Sequence, residues 1–211
     1  HTPTRRQRQM CIRDRDINGH GTHVAGIIAA SKDDQGVTGV APGARIMPVK
    51  VLFDNGFGFM SSVISGIRYA AKRGADVINL SLGGRSGSPA LRDALKFATK
   101  KGSLVVMASG NSSGESPIYP AAYASEFGVA VGAVDENRHM TWFSNRAGDS
   151  EISFVTAPGS SILSTVPGGY SKKSGTSMAA PHISGVAALV KEYSGNPENT
   201  SIVLPEYSLT K

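Results

Sequence analysis

Apolar residues follow two kinds of spacing along the chain from residue 16 onward. Segments with apolar residues at helical spacing alternate with short, continuous apolar runs rich in β-branched residues, which are typical of buried strands. The predicted helices cover residues 21–30, 59–74, 88–102 and 176–193, and the predicted strands cover 44–52, 75–82, 103–109 and 127–134. This alternation predicts an α/β fold whose parallel sheet has helices on both faces.

Polar or irregular stretches separate these elements and predict loops at 31–38, 53–58, 84–88 and 111–126. In a parallel α/β sheet, the loops at the carboxyl ends of the strands carry most binding and catalytic residues. We therefore expect the chemistry of this protein to lie in such loops and at the helix starts that follow them.

Composition and charge argue against several classes of function. The 211-residue chain is 40% hydrophobic and 18% charged, as is usual for a globular domain. Its net charge of +6 is concentrated in residues 1–15, which contain five arginines and only one aspartate. No basic patch with interleaved aromatics follows, which argues against a nucleic-acid partner. No apolar run reaches the roughly 20 residues that a membrane span needs, and the single Cys11 excludes an intrachain disulfide.

Three short segments carry residue types suited to nucleophilic catalysis. Ser177, in SGTSMAAPH, opens an apolar helix whose free N–H groups favour negative charge nearby, although helix capping is the simpler role. His20, in HGTHVAG, can act as a base, or pair with His23 at a metal, while His23 can also be a packed core residue. Asn111 follows a strand, where it is either a turn residue or an amide donor to an oxyanion.

Taken together and in this order, the segments resemble the subtilisin-like serine proteases of the S8 family. His20 and Ser177 stand 157 positions apart, and Asn111 follows His20 by 91, spacings similar to those of compact secreted bacterial subtilisins. The likeness covers about residues 16–192. The matching segments are DINGHGTHVAGIIAA, GVTGVAPGARIMPVKVL, GADVINLSLGG, ASGN, YPAAY, GVAVGAVDENRHMTWFSNR and APGSSILSTVPGGYSKKSGTSMAAPHISGVAALV.

The resemblance implies a serine endopeptidase that acts on a peptide or protein substrate. Ser177 matches the nucleophile that forms an acyl-enzyme, His20 the general base and Asn111 the oxyanion-hole donor. Asp16 matches a loop acid near the substrate groove, and Asp14 matches no family position. The implied walls of the pocket for the P1 side chain, which precedes the scissile bond, are Ser81, Leu82 and Gly83 on one side and Ala108, Ser109 and Gly110 on the other.

Ile118 falls near the base of this P1 pocket, where the family often has glycine. We expect it to narrow the pocket and to disfavour bulky aromatic P1 residues.

The segment 31–37 resembles the family's calcium loop. The implied Ca²⁺ ligands are the side chain of Asp33 and the backbone carbonyls of Ser31, Gln35 and Val37, all oxygen donors of the kind that calcium prefers. A solvated acidic loop is the alternative. The resemblance also implies a secreted monomer without nucleic-acid or membrane partners, and a propeptide is possible in such proteins.

The family places an aspartate that orients the histidine in a strand ending D-[ST]-G, about 30 residues earlier, and residues 1–19 contain no such motif. We therefore expect a foreign segment at 1–15, a partial catalytic domain at 16–193 and an atypical tail at 194–211. Without the strand that carries this aspartate, its neighbours in the sheet should expose an edge, and the chain should fold poorly and be marginally active. The alternative function is a non-catalytic pseudoprotease or peptide-binding fragment, which the presence of Ser177, His20 and Asn111 disfavours.

Overall fold

The structure, a computed structural model, describes residues 16–149, 151–194 and 201–205. Its helices are α1 (His20–Ala29), α2 (Met60–Lys72), α3 (Pro89–Lys100) and α4 (Thr176–Tyr193), with a 3₁₀ turn at Ala121–Tyr123. Its strands are β1 (Arg45–Val49), β2 (Val77–Leu80), β3 (Leu104–Ala108), β4 (Val129–Val134), β5 (Phe154–Pro158), β6 (Ile162–Val166), β7 (Gly169–Lys173) and β8 (Ser201–Pro205).

The main sheet is parallel throughout and has the strand order β1-β8-β2-β3-β4-β5, while β6 and β7 form a separate antiparallel hairpin. Alternate residues of the central strands face opposite sides, as the pleat requires. Ile78 and Val105 pack with α2 and α3 in one apolar cluster, whereas Val77 and Val106 pack with α1 and α4 in another. The predicted α/β fold, with a parallel sheet covered on both faces, is confirmed.

Local signals set where the helices begin and end. Ser88 caps α3 by accepting a hydrogen bond from the N–H of Leu91 at 3.1 Å, and Pro89 occupies the first helical position, where its missing N–H costs nothing. The helix ends at Lys100, and Gly102 follows with a φ of 88°, which reverses the chain into β3. Among the described residues, no helix combines the length and the apolar character needed to cross a bilayer.

The strand β8 corrects one expectation from the sequence. The absence of the strand that carries the orienting aspartate predicts an exposed sheet edge, but residues 201–205 of the predicted tail lie between β1 and β2 and pair with both. Arg45 is in register with Ser201, and Val77 with Ile202. The expectation of an exposed edge is therefore wrong for β1 and β2. Residues 1–15, 195–200 and 206–211 lie outside the described residues, so the foreign nature of 1–15 stays a prediction.

Deleting residues 195–211 should destabilise the domain, because β1 and β2 then face each other across an empty strand position. Each lost ladder hydrogen bond is worth about 0.5–1.5 kcal/mol, so the free energy of unfolding should fall by several kcal/mol. Urea unfolding followed by circular dichroism measures this. Deletion of 206–211 alone, which keeps β8, is the control, and equal midpoints for both deletions would contradict the strand assignment.

Candidate active site

Ser177 lies in the first turn of α4 and is 4% exposed. The helix begins after Gly175, whose φ of 152° is rare for residues with a side chain and whose Cβ would lie 3.3 Å from Nδ2 of Asn111. Ser177 Oγ donates a hydrogen bond of 3.3 Å to the carbonyl oxygen of Ser81. The serine hydroxyl therefore sits among first-turn N–H groups at the positive end of the helix dipole.

Pro181 explains how this turn is fixed to the sheet. A proline inside a helix has no N–H to donate to the carbonyl four residues earlier, which here belongs to Ser177. That carbonyl instead accepts a 2.8 Å hydrogen bond from Ser81 Oγ. Behind it, Asn79 Nδ2 donates to Ser81 Oγ, and Ser184 Oγ donates to Asn79 Oδ1, each at 2.9 Å. A buried polar network thus connects the nucleophile's turn to the end of β2.

Asn111 is held by its carbonyl oxygen. Oδ1 accepts hydrogen bonds from the backbone N–H of Thr176 at 2.8 Å and from its hydroxyl at 2.9 Å. Both donors fix Oδ1, while Nδ2 makes neither bond and Asn111 lines the cleft, so the amide N–H group is left to donate there. This is the orientation that donation to an oxyanion requires.

His20 occupies the first position of α1 and is 7% exposed. The carboxylate of Asp16 accepts hydrogen bonds from the N–H groups of Gly19 (2.8 Å) and Thr22 (2.7 Å), so it caps the helix that carries the histidine. The pKa of His20 is lowered from 6.5 to about 4, chiefly by burial and secondly by the charge of Lys173, which together outweigh the raising effect of Asp16. His20 is therefore neutral at pH 7 and able to accept a proton.

One cleft of about 360 Å³ joins these groups. The structure brings His20, Asn111 and Ser177 into its lining, although they lie on three different elements. The other lining residues are Asn18, Asn55, Gly56, Phe57, Lys173, Ser174 and Met178. The substrate-binding role of Asp16 stays a prediction, since its described contacts are those of a helix cap.

The residues predicted for the P1 pocket also come together. A Cβ added to Gly83 would lie 2.5 Å from Cδ1 of Ile118, and one added to Gly110 would lie 3.0 Å from its Cγ1. The N–H of Ile118 donates to the carbonyl of Ser109 at 2.9 Å. Ile118 therefore packs between the two predicted walls.

Asn145 shapes the site, although nothing in the sequence pattern indicates its role. Asn145 accepts hydrogen bonds at Oδ1 from the N–H groups of Ser112 and Gly114, and its Nδ2 donates to the carbonyl of Ser116. It fixes the loop that leads from Asn111 to Ile118. A buried asparagine of this kind is identifiable from sequence only through its partners, which lie about 30 positions away.

The contacts of His23 support its alternative role as a packed core residue. His23 is fully buried, and its Nε2 lies 3.0 Å from the carbonyl oxygens of Ile162 and Ser171, so it is a core histidine that ties α1 to the hairpin β6–β7. Among the described residues, no three His, Cys, Asp or Glu side chains are grouped as a metal centre requires.

Residues 11–204 match the sequence profile of the Subtilase family, Peptidase_S8. The chain belongs to the subtilase family. It is 48% identical over 188 residues to subtilisin BL of Lederbergia lenta, covering 89% of this chain and 68% of that protein. It is also 50% identical over 185 residues to the major intracellular serine protease of Bacillus subtilis, covering 84% and 56%.

A solved structure supports the fold of this subtilase. The crystal structure of a cold-adapted subtilisin-like serine proteinase superposes with a TM-score of 0.74 at 40% identity, covering 87% of this chain and 64% of that one. M-protease of Shouchella clausii, 48% identical, is covered over only 48% of its length. The chain thus spans between about half and two thirds of the length of these relatives.

Replacing Lys173 with methionine should raise the pKa of His20 in this subtilase, because a positive charge beside the imidazole is removed. Proton NMR titration of the histidine Cε1–H measures it. Because the pKa of His20 is lower in the folded chain than the ordinary 6.5, the unfolded chain binds a proton more readily. The free energy of unfolding should therefore decrease as the pH falls from 6.5 to about 4. Lys172→Met is the matched control, because adjacent strand residues point to opposite faces. An unchanged His20 pKa in Lys173→Met would refute this assignment.

Proposed function

We propose that the cleft hydrolyses peptide bonds through an acyl-enzyme on Ser177. The observation that carries this is the shared cleft of His20, Asn111 and Ser177, with Asn111 Oδ1 held by Thr176 so that Nδ2 is left to donate. A neutral buried histidine, a serine at a helix start and an amide donor in one cavity are the groups that acyl transfer requires. The membership in a peptidase family supports the proposal.

Each of the three residues has its own step in the proposed reaction. Ser177 Oγ attacks the scissile carbonyl while His20 accepts its proton, and the Asn111 amide with the Ser177 N–H stabilises the oxyanion. His20 then protonates the leaving amine, and water hydrolyses the ester by the same route. The expectation that this chain is marginally active rests on the absence of a D-[ST]-G motif from residues 1–19 and stays a prediction.

Asn111→Ala should lower kcat on a peptide substrate with little change in KM, because its donor acts only on the transition-state oxyanion. In subtilisin, removal of one such donor lowers turnover about 10²–10³-fold. Fluorogenic peptide hydrolysis measures this, with Ser177→Ala as the background. A folded chain whose hydrolysis rate equals that of Ser177→Ala supports the alternative, a peptide-binding pseudoprotease.

We also propose that Ile118 restricts P1 to small side chains, since it packs against both Gly83 and Gly110. Ile118→Gly should raise the ratio of kcat/KM for P1 phenylalanine over P1 alanine by about 10–100-fold, the value of a buried aromatic side chain. Ile118→Leu, which conserves volume, is the control. A wild-type chain that strongly prefers P1 phenylalanine or tyrosine would rule this out.

We propose that the loop 31–37 binds calcium. Asp34 and Gly36 have positive φ angles of 61° and 64°, which coil the backbone around Asp33, and Asp33 Oδ1 accepts a hydrogen bond from the N–H of Gln35 at 3.2 Å. The carboxylate of Asp33 and the carbonyls of Ser31, Gln35 and Val37 are oxygen donors that fit Ca²⁺. They are fewer than the about six to eight that it takes, so other oxygens complete the shell.

Calcium chloride should raise the thermal midpoint of the chain relative to EDTA, because binding stabilises the folded state. Asp33→Ala should abolish the increase, whereas Asp34→Asn, which tolerates the left-handed backbone, should retain it. Magnesium chloride should not replace calcium. An equal calcium response in both variants would favour the solvated acidic loop.

The secreted location, the monomeric state and the propeptide stay predictions from the resemblance. For the location, the relatives differ, because one of them is by name an intracellular protease.

A further inference from the structure

Two hydroxyl groups and one amide form a buried chain of hydrogen bonds that ends at the main-chain carbonyl of Ser177. Ser184 on α4, Asn79 on β2 and Ser81 directly after β2 are fully buried. Ser184 Oγ lies 2.9 Å from Asn79 Oδ1, and Asn79 Nδ2 lies 2.9 Å from Ser81 Oγ. Ser81 Oγ lies 2.8 Å from the carbonyl oxygen of Ser177. Because these groups are buried, they have to satisfy one another.

The number of hydrogens sets the direction of this chain. A hydroxyl group has one hydrogen to donate, whereas a carbonyl oxygen can only accept. The carbonyl of Ser177 lacks a helical donor at Pro181 and takes the hydrogen of Ser81 instead. The oxygen of Ser81 is then free to accept from the NH₂ group of Asn79, which turns Oδ1 of Asn79 towards Ser184.

The same atoms allow a reversed arrangement. If the Asn79 amide rotates by half a turn, its Oδ1 faces Ser81 and accepts the hydrogen of that hydroxyl group. Ser184 Oγ then donates to the carbonyl of Ala180, which lies 3.3 Å away. The carbonyl of Ser177 loses the donor from Ser81, and the first turn of α4 is no longer tied to β2. A buried carbonyl without a donor is unfavourable, which selects the first arrangement.

We propose that Asn79 is a positioning residue that directs the hydrogen of Ser81 to the carbonyl of Ser177. This inference rests on the proposed function, in which Ser177 Oγ is the nucleophile. Ser177 Oγ also donates to the carbonyl of Ser81 at 3.3 Å, so Ser81 holds the nucleophile at two points. If this turn moves, the reacting oxygen moves with it, and a displacement of about 1 Å can lower a rate about 100-fold. Asn79 acts through Ser81, because its buried amide lies behind that residue.

Asn79→Asp tests the direction, because it keeps the shape of the side chain and makes its donor depend on pH. The neutral carboxyl group can donate to Ser81 as the amide does, whereas the carboxylate can only accept and takes the hydrogen of Ser81. Burial raises the pKa of a carboxyl group, so the neutral form should prevail at low pH. As the pH rises from about 5 to about 9, the ratio of variant to wild-type kcat should fall about tenfold or more, with KM unchanged.

Other groups that face Asn79 do not give this response. The strands β2, β3 and β8 contain no titratable residue. Burial lowers the pKa of the histidines of α1 and α4, which are His20, His23 and His182. These histidines are present in both chains, so the ratio of the two kcat values cancels their titration. The charged residues of α4, Lys191 and Glu192, lie about two turns beyond Ser184.

The carbonyl of Ser177 gives a second readout that needs no substrate. Ser177 and Met178 form the only Ser–Met pair in the sequence, so ¹³C-carbonyl serine with ¹⁵N-methionine isolates this carbonyl in one NMR signal. With rising pH, the signal of Asn79→Asp should move towards its position in Ser81→Ala, which lacks the hydrogen bond. Ser103→Ala is the matched control, because Ser103 Oγ donates to the buried carbonyl of Ala75 at 2.6 Å, before β3 begins. It should lower stability and leave kcat and the signal unchanged.

An unchanged signal in Asn79→Asp across the pH range, or one that changes only when the chain unfolds, would overturn the proposal. A signal that moves while the kcat ratio stays constant would also overturn it. Hydrolysis by the wild-type chain with an unchanged signal in the variant defeats the inference and leaves the proposed function standing. A signal that moves in a chain whose wild type hydrolyses no peptide defeats the proposed function and leaves the direction of the hydrogen bonds standing.

Discussion

The hydrogen bond from Ser81 Oγ to the carbonyl of Ser177 is the contact on which the rest of the site depends. Pro181 makes it possible, because a helix with any other residue at that position would use the carbonyl within its own first turns. An unsatisfied buried carbonyl costs about 1–3 kcal/mol, so the bond to Ser81 holds the start of α4 in one position against β2. The nucleophile thereby acquires a fixed place relative to the sheet.

The remaining groups are positioned by the same turn. Thr176, directly before the nucleophile, holds Asn111 through both its N–H and its hydroxyl. The two-faced parallel sheet brings the ends of β2 and β3 to one edge, where Asn111 and the segment 81–84 meet α4. The site therefore results from one helix start anchored to adjacent strand ends, and α1 adds His20 from the same face of the sheet.

The sequence predicts much of this arrangement. All four helices and the strands β1 to β4 follow from apolar spacing, since each buries one face or both in the core. The strands β5, β6 and β7 do not follow from it, because they are short and partly exposed and include polar residues such as Lys172 and Lys173. The sequence does not predict the strand β8, because the pairing of a five-residue segment is visible only when its partner strands are known.

Within the site, too, the sequence predicts some residues and not others. Ser177, His20 and Asn111 are identifiable because their motifs combine in one order. Asn79, Ser184 and Asn145 are not, since a buried polar residue has no periodicity and its partner can lie more than 100 positions away, as Ser184 does from Asn79. The charge of Lys173 on His20 is likewise visible only once β7 is placed beside α1.

Covalent labelling by a fluorophosphonate probe tests directly whether Ser177 is an activated nucleophile. The intact, folded chain should incorporate one probe on Ser177, identified by peptide mass spectrometry. Ser177→Ala should incorporate none, and His20→Ala should react far more slowly because the serine loses its base. A folded chain that remains unlabelled, or one that labels equally fast without His20, would show that His20 does not activate Ser177.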